Sequence, residues 1–292
     1  MNTVADILFG GLFQGSLYAM MAVGLALVWT TIGVFNFSHG VLMMLGAYVA
    51  WQLGAWGLPP FAAFPLAVAL MAGVGWLLQA TVVRPLIGRA NLVLVVVITT
   101  LAAGSLIENG VLVTWGPRSK QVPPLLEGNA MIGGIGVSMH QIAIIVITPL
   151  ILGALWLFLS RTRLGLALRA VAQNEDASRL VGLNVTALYA LAFGIAAALA
   201  ALAGIFLGGY RFMTPVMGAD PLLKALIVVV FGGISSISGP IFAAYVIGFF
   251  EAICSYYFGL YWTPALLFAA LILTLMVRPE GLFSTGSGRG LA

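Results

Sequence analysis

Long apolar runs constrain this chain more than any other feature. They recur from Val4 almost to Val277 and are each about 18–25 residues long. Such a run matches the roughly 20 residues that an α-helix needs to cross the hydrocarbon layer of a bilayer. Inside that layer every backbone N–H and C=O needs an internal partner, so only helices and closed barrels span it. The runs do not alternate apolar with polar residues, which selects helices. The expected fold is an all-α polytopic membrane protein in a single domain, residues 1–292, with about eight or nine crossings.

Composition agrees. Hydrophobic residues make up 62% of the chain and charged residues only 7%, against about 25% charged in soluble domains. The net charge of +4 comes mostly from loop arginines and gives no reason to expect nucleic acid as a partner. Cys254 is the single cysteine, and His39 and His140 are the only histidines. No intrachain disulfide and no metal-ligand cluster follow from such a set. The first apolar run lacks a basic n-region and is too long for a cleaved signal, so it is expected to be retained as a span.

Two interruptions stand out. Asn36-Phe37-Ser38-His39-Gly40 cuts the first run from a shorter second one, and Gly232–Pro240 (GGISSISGP) cuts the short run from Pro221 to Phe231 from the next. Each break precedes a segment with a Tyr-Val pair, Tyr48-Val49 and Tyr245-Val246, a faint internal echo. A broken helix exposes amide N–H groups at a positive end, which suits a carboxylate, and paired breaks mark solute sites in many transporters. Asn36, Ser38, His39, Ser235, Ser236 and Ser238 would add donors and acceptors there. The alternative is that these side chains only satisfy backbone groups freed at a kink. Glu108, beside Asn109, and Glu251 lie inside apolar runs. Ionisable groups at that depth are costly and face a cavity or a partner. Either a role in the solute path, including ammonium binding, or a hydrogen bond at a subunit interface fits them.

The longest polar interval is Arg161–Thr186. Gly165–Gln173 is rich in good helix formers. Asn174 then reads as an N-cap, with Glu175 and Asp176 in the first turn, where the helix dipole favours acids. Glu175 and Arg179 stand at i, i+4 in the favourable order, and Gly182 reads as a stop. Two short helices with a bend between them can dock in a groove; a solvated loop whose arginines only set topology is the alternative. Basic clusters at Arg84/Arg89, Arg161–Arg179 and Arg278/Arg289 fall on one side when spans are counted. The positive-inside rule makes that side the cytoplasm, with the N-terminus outside and the C-terminus inside. The loops carrying Arg118/Lys120 and Arg211/Lys224 would then face outward.

Read in order, these segments resemble the permease subunits of ATP-driven importers for branched-chain amino acids. The resemblance covers nearly the whole chain. It is carried by GSLYAMMAVGLALVW at Gly15–Trp29, NFSHG at Asn36–Gly40, MMLGAYVA at Met43–Ala50 and RPL at Arg84–Leu86. It continues through RLGLALRAVAQNEDASRLVGLNV at Arg163–Val185, ALAFGIAAALAALAG at Ala190–Gly204 and the break at Gly232–Pro240. Two places depart from the family's pattern: Val41 stands where an acid usually follows the first break, and the second break carries its proline at Pro240.

The resemblance implies a non-catalytic translocation subunit in a bacterial inner membrane. It implies a homologous second permease subunit, two cytoplasmic ATP-binding subunits and an extracytoplasmic solute-binding protein as partners. Arg161–Thr186 would be the cytoplasmic coupling segment, with Arg163, Arg169, Asn174, Glu175, Asp176, Arg179 and Gly182 at or near the ATPase contact. The chain has no Gly-x4-Gly-Lys-Ser/Thr loop, so ATP and Mg2+ belong to the partner and no cofactor is expected on this chain. A branched-chain amino acid or a similar small carboxylate or amide is the implied solute. The competing class is an ion- or proton-coupled secondary transporter, which would need Glu108 or Glu251 to cycle between protonation states.

Overall fold

The structure is a computed structural model that describes residues 3–132, 135–234 and 236–283. Among them are eleven α-helices and one β-hairpin. The helices are α1 (Thr3–Ile32), α2 (His39–Ala55), α3 (Pro60–Leu78), α4 (Leu92–Trp115), α5 (Met139–Arg161) and α6 (Arg163–Gln173). They continue with α7 (Glu175–Leu180), α8 (Val185–Tyr210), α9 (Ala219–Gly232), α10 (Ser238–Phe258) and α11 (Thr263–Val277). A π turn (Gln79–Val83) and a 3-10 turn (Arg84–Leu86) extend α3. Strands β1 (Asn129–Ile132) and β2 (Ile135–Ser138) pair antiparallel inside the Gly/Pro-rich loop, where no strand was expected. This is an all-α polytopic membrane fold. Six described helices are long and apolar enough to cross a bilayer. The expected eight or nine crossings would have to include α2, α9 and α11, whose 17, 14 and 15 residues fall at or below the short end of the crossing range.

Two helices form the interior. The most apolar window of α1 is 89% buried and that of α8 is 78% buried, whereas those of the other long helices are at most a third buried. α1 runs antiparallel to α10, from the Thr3 Oγ1–Tyr256 hydroxyl contact of 2.8 Å at one end to the corner before Ser238 at the other. Glycine makes this approach possible. A β-carbon on Gly15 would stand 2.7 Å from the Tyr245 ring, and one on Gly248 would stand 2.5 Å from the Gly15 nitrogen. Small residues at such a seam let backbones meet where no hydrophobic force drives helices together. α8 packs against α1, α2 and α3 through its Ala/Gly face, Ala196–Gly204.

The bundle has two distinct ends. At one, Leu27 and Ile32 of α1 pack with Leu159, Leu168, Val185 and Leu188, and Val28 packs with Val83 and Leu86. Arg84, Arg161 and the α6–α7 pair therefore share this arginine-rich end. Arg278 shares it too, because the segment after α11 returns to α9 through a Leu282 N–H to Phe231 carbonyl bond of 2.9 Å. Arg289 lies outside the described residues. At the other end, the hairpin end, the Lys120 ammonium sits 4.1 Å over the Trp51 ring, and Lys120 pairs with Met213.

Candidate functional site

The two breaks lie at different depths. After α1 ends, the chain turns back roughly 16 Å along it before α2 begins. There the His39 Nε2 donates to the Met21 carbonyl at 3.1 Å. Asn36 Oδ1 accepts from the Ser38 N–H at 3.1 Å and from the Ser38 hydroxyl at 2.5 Å, and the Phe37 N–H donates to Thr100. Asn36, Ser38 and His39 are buried, and Asn36 Nδ2 and His39 Nδ1 have no partner. α9 starts beside the same point: Gly40 and Gly218 touch backbone to backbone, and a β-carbon on either would overlap the other's carbonyl. Two short helices thus begin in the packed interior with their N-termini together. Asn36 and Ser38 bond to each other and His39 ties α2 to the Met21 carbonyl of α1, while Asn36 Nδ2 and His39 Nδ1 stay buried without a partner among the described residues.

The second break is a corner at the arginine-rich end. α9 closes on Gly233, whose φ of +99° suits glycine. Ser236 Oγ accepts from the Gly239 N–H at 3.0 Å, Ser238 opens α10, and Gly281 packs against Gly233. Ser235 lies outside the described residues. The sequence echo therefore does not pair the two sites in space; the spatial companion of Asn36–Gly40 is Gly218.

Glu251 anchors a buried charged cluster. Its Oε1 accepts from Lys224 Nζ at 2.7 Å, and its Oε2 accepts from the Tyr18 hydroxyl. Lys224 also reaches Asp220 at 3.3 Å. Lys224 is therefore inside the bundle on α9, not in an outward loop as the sequence reading had it. Neither Lys224 nor Tyr18 was singled out as a site residue, because the signal lies in spacing across three helices. A cavity of about 60 Å³ adjoins the cluster and is lined by Gln14, Tyr18, Tyr210, Arg211 and Asp220; it has room for a few waters.

Glu108 is the contrasting case. It lies in the hairpin-end half of α4, only part-buried, and has no ion pair or hydrogen bond among the described residues. With Asn109, Leu112, Pro117 and Thr214–Val216 it lines a cleft of about 340 Å³. Asn109 donates to the Ser105 carbonyl at 2.8 Å.

The polar interval forms the helix pair read from its sequence. Thr162 caps α6 by accepting from the Gly165 N–H at 3.0 Å, and Asn174 caps α7 by accepting from the Ala177 N–H at 2.9 Å. Glu175 and Arg179 pair at 2.6 Å. Burial pushes the Glu175 carboxyl up, but hydrogen bonds from Arg179 and Tyr189 and the Arg179 charge outweigh it, holding the group below its ordinary value. Gly182 has φ +83°. α6 buries Gly165, Leu168 and Val171 and exposes Arg163 and Arg169, while Asp176 and Arg179 are exposed on α7. Leu164, Leu166, Leu180 and Val181 are also exposed, an apolar surface among the arginines that the sequence reading passed over.

Known proteins resemble this chain in family, sequence and fold. The profile of a family described as the branched-chain amino acid transport system permease component matches residues 7–276. The high-affinity branched-chain amino acid transport permease BraD of Pseudomonas aeruginosa is 35% identical over 290 residues, with 94% of each chain covered. LivH of Escherichia coli, of the same description, is 33% identical over 291 residues at the same coverage. Among solved structures, PsaBC from Streptococcus pneumoniae in complex with Fab is similar in fold, with a TM-score of 0.51 at 13% identity over 94% of this chain and 92% of that one.

Proposed function

Because the chain belongs to the family of branched-chain amino-acid transport permease components, we propose that it is the non-catalytic membrane subunit of an ATP-driven importer. Its cargo is a branched-chain amino acid or a similar small carboxylate or amide. A homologous second permease subunit, two cytoplasmic ATP-binding subunits and an extracytoplasmic solute-binding protein complete the machine. ATP and Mg2+ act on the ATP-binding subunits. The setting is a bacterial inner membrane, with the arginine-rich end in the cytoplasm by the positive-inside rule. That orientation puts the N-terminus outside and the C-terminus inside.

The observation that carries this reading is the α6–α7 pair. It is a shaped, side-chain-capped layer seated on α1, α5 and α8, and it shows arginine and leucine side chains outward at one end of the bundle. Arg163, Arg169, Asp176 and Arg179 would meet the ATPase, with Leu180 and Val181 packing in its groove. Asn174, Glu175 and Gly182 would fix the pair's shape. Movement of the pair would pass directly into the two interior helices. In the reconstituted complex, Arg169→Glu with Arg179→Glu should leave ATP hydrolysis uncoupled from uptake. Normal solute-stimulated hydrolysis together with normal uptake in that double variant would refute the assignment.

A further inference from the structure

We propose that the cleft between α4 and the Thr214–Val216 segment is a cation-recognising subsite, in which Glu108 receives the primary ammonium of the transported solute. This deepens the permease reading and rests on it. Glu108 stands seven residues before the end of α4 at Trp115, about 10 Å inside the helix terminus. A carboxylate at such depth is costly unless it meets a partner or a polar cavity. The other acids on helices α9 and α10 satisfy this demand within the chain: Asp220 and Glu251 both engage Lys224. Glu108 meets no cation among the described residues and opens instead on a cleft of about 340 Å³, the scale on which small-molecule sites begin.

The walls of the cleft divide by chemistry. Glu108, Asn109 and Thr214 are its polar residues, and Leu112, Pro117, Pro215 and Val216 are its apolar ones. A ligand that fits both halves carries one positive charge beside a short hydrocarbon body. Glu108 is the one charged residue in the lining, and the Asn109 amide nitrogen beside it is already engaged by the Ser105 carbonyl. α4 is the least buried of the long helices, with 17% of its most apolar window covered. A companion subunit set against it would close the cleft into a chamber.

The test uses the complete importer in proteoliposomes, with leucine as solute and its binding protein present. Glu108→Gln should lower uptake about tenfold or more while the subunits still co-purify and ATP hydrolysis is still stimulated by the loaded binding protein. Glu108→Asp should recover part of the rate. A second measurement reads the field directly. In a Cys254→Ala background, Val216→Cys should react several-fold faster with a cationic thiosulfonate than with an anionic one, and Glu108→Gln should abolish that preference. Unchanged uptake, or loss of subunit assembly in Glu108→Gln, would overturn the subsite, the latter making the carboxylate an interface bond. A wild-type complex that hydrolyses ATP but accumulates no amino acid would overturn the permease reading itself.

Discussion

Beyond the first turns, where Asp6 and Asp220 stand, two carboxylates lie deep inside the apolar helices α1, α4, α9 and α10: Glu251 in α10 and Glu108 in α4. Glu251 is 7% exposed and accepts from both Lys224 and Tyr18. Glu108 accepts from nothing described and faces a cleft. The two positions are nearly indistinguishable in sequence, each one acid in an oily run. The difference teaches that an acid at membrane depth can be a structural clasp or an open hand. What separates them is whether a cation on another helix has been brought to it. A buried ion pair adds little over a well-packed apolar substitute, but breaking it on one side leaves a stranded charge.

The comparison can be broken at several points. Glu251→Ala should have the largest effect, destabilising the purified protein by up to about 3–5 kcal/mol, because part-buried Lys224 keeps only its longer contact to the exposed Asp220; adding Lys224→Met should restore much of it. Thermal unfolding in detergent reads both, and a mild Glu251→Ala phenotype would dissolve the distinction. Gly15→Leu should follow, because α1 and α10 would have to part at the Tyr245 contact; overpacking of this kind costs about 1–3 kcal/mol or more. Tyr18→Phe removes one of two donors to Glu251 and should cost about 1–3 kcal/mol in the same assay. Glu108→Gln should leave stability within about 0.5 kcal/mol, so that its consequence is confined to transport.

Glu175 is the intermediate case, a half-exposed carboxylate held by Arg179 and Tyr189. Its folded value is depressed, so its contribution is present above the ordinary carboxylate range. It is lost as pH falls through the lowered folded value. Protection of the α6–α7 segment from proteolysis should therefore hold at neutral pH and weaken only in acid below about pH 4. In Glu175→Gln that acid step should vanish.

Legibility in the sequence followed the range of the interactions. α6 and α7 could be read with the Asn174 cap, the ion pair and the stop because each bond spans four residues or fewer, although the Thr162 cap of α6 was not. The helical class was legible because bilayer thickness imposes run length. The clasp was not legible: Lys224 and Glu251 are 27 residues apart and Tyr18 and Glu251 are 233 apart, and Lys224 had been placed in an outward loop. The echo between Asn36–Gly40 and Gly232–Pro240 misled for a related reason. Local composition marks where a helix stops but not how deep in the bundle that stop lies. Gly218, the real neighbour of Gly40, lies in a stretch with no matching motif. The hairpin at Asn129–Ser138 escaped notice because its strands have only four residues each.

Short-range bonds fix the arginine-rich end. Three consecutive helices there begin on a side-chain cap: Thr162 for α6, Asn174 for α7 and Asn184, whose Oδ1 accepts from Ala187 at 3.1 Å, for α8. Their geometry is written into short-range bonds, so the segment does not wait for a visitor to give it form. Association then loses little conformational entropy. A lever already stiff on arrival also delivers displacement without slack, so each stroke of an engine seated on it would be felt at once along α8.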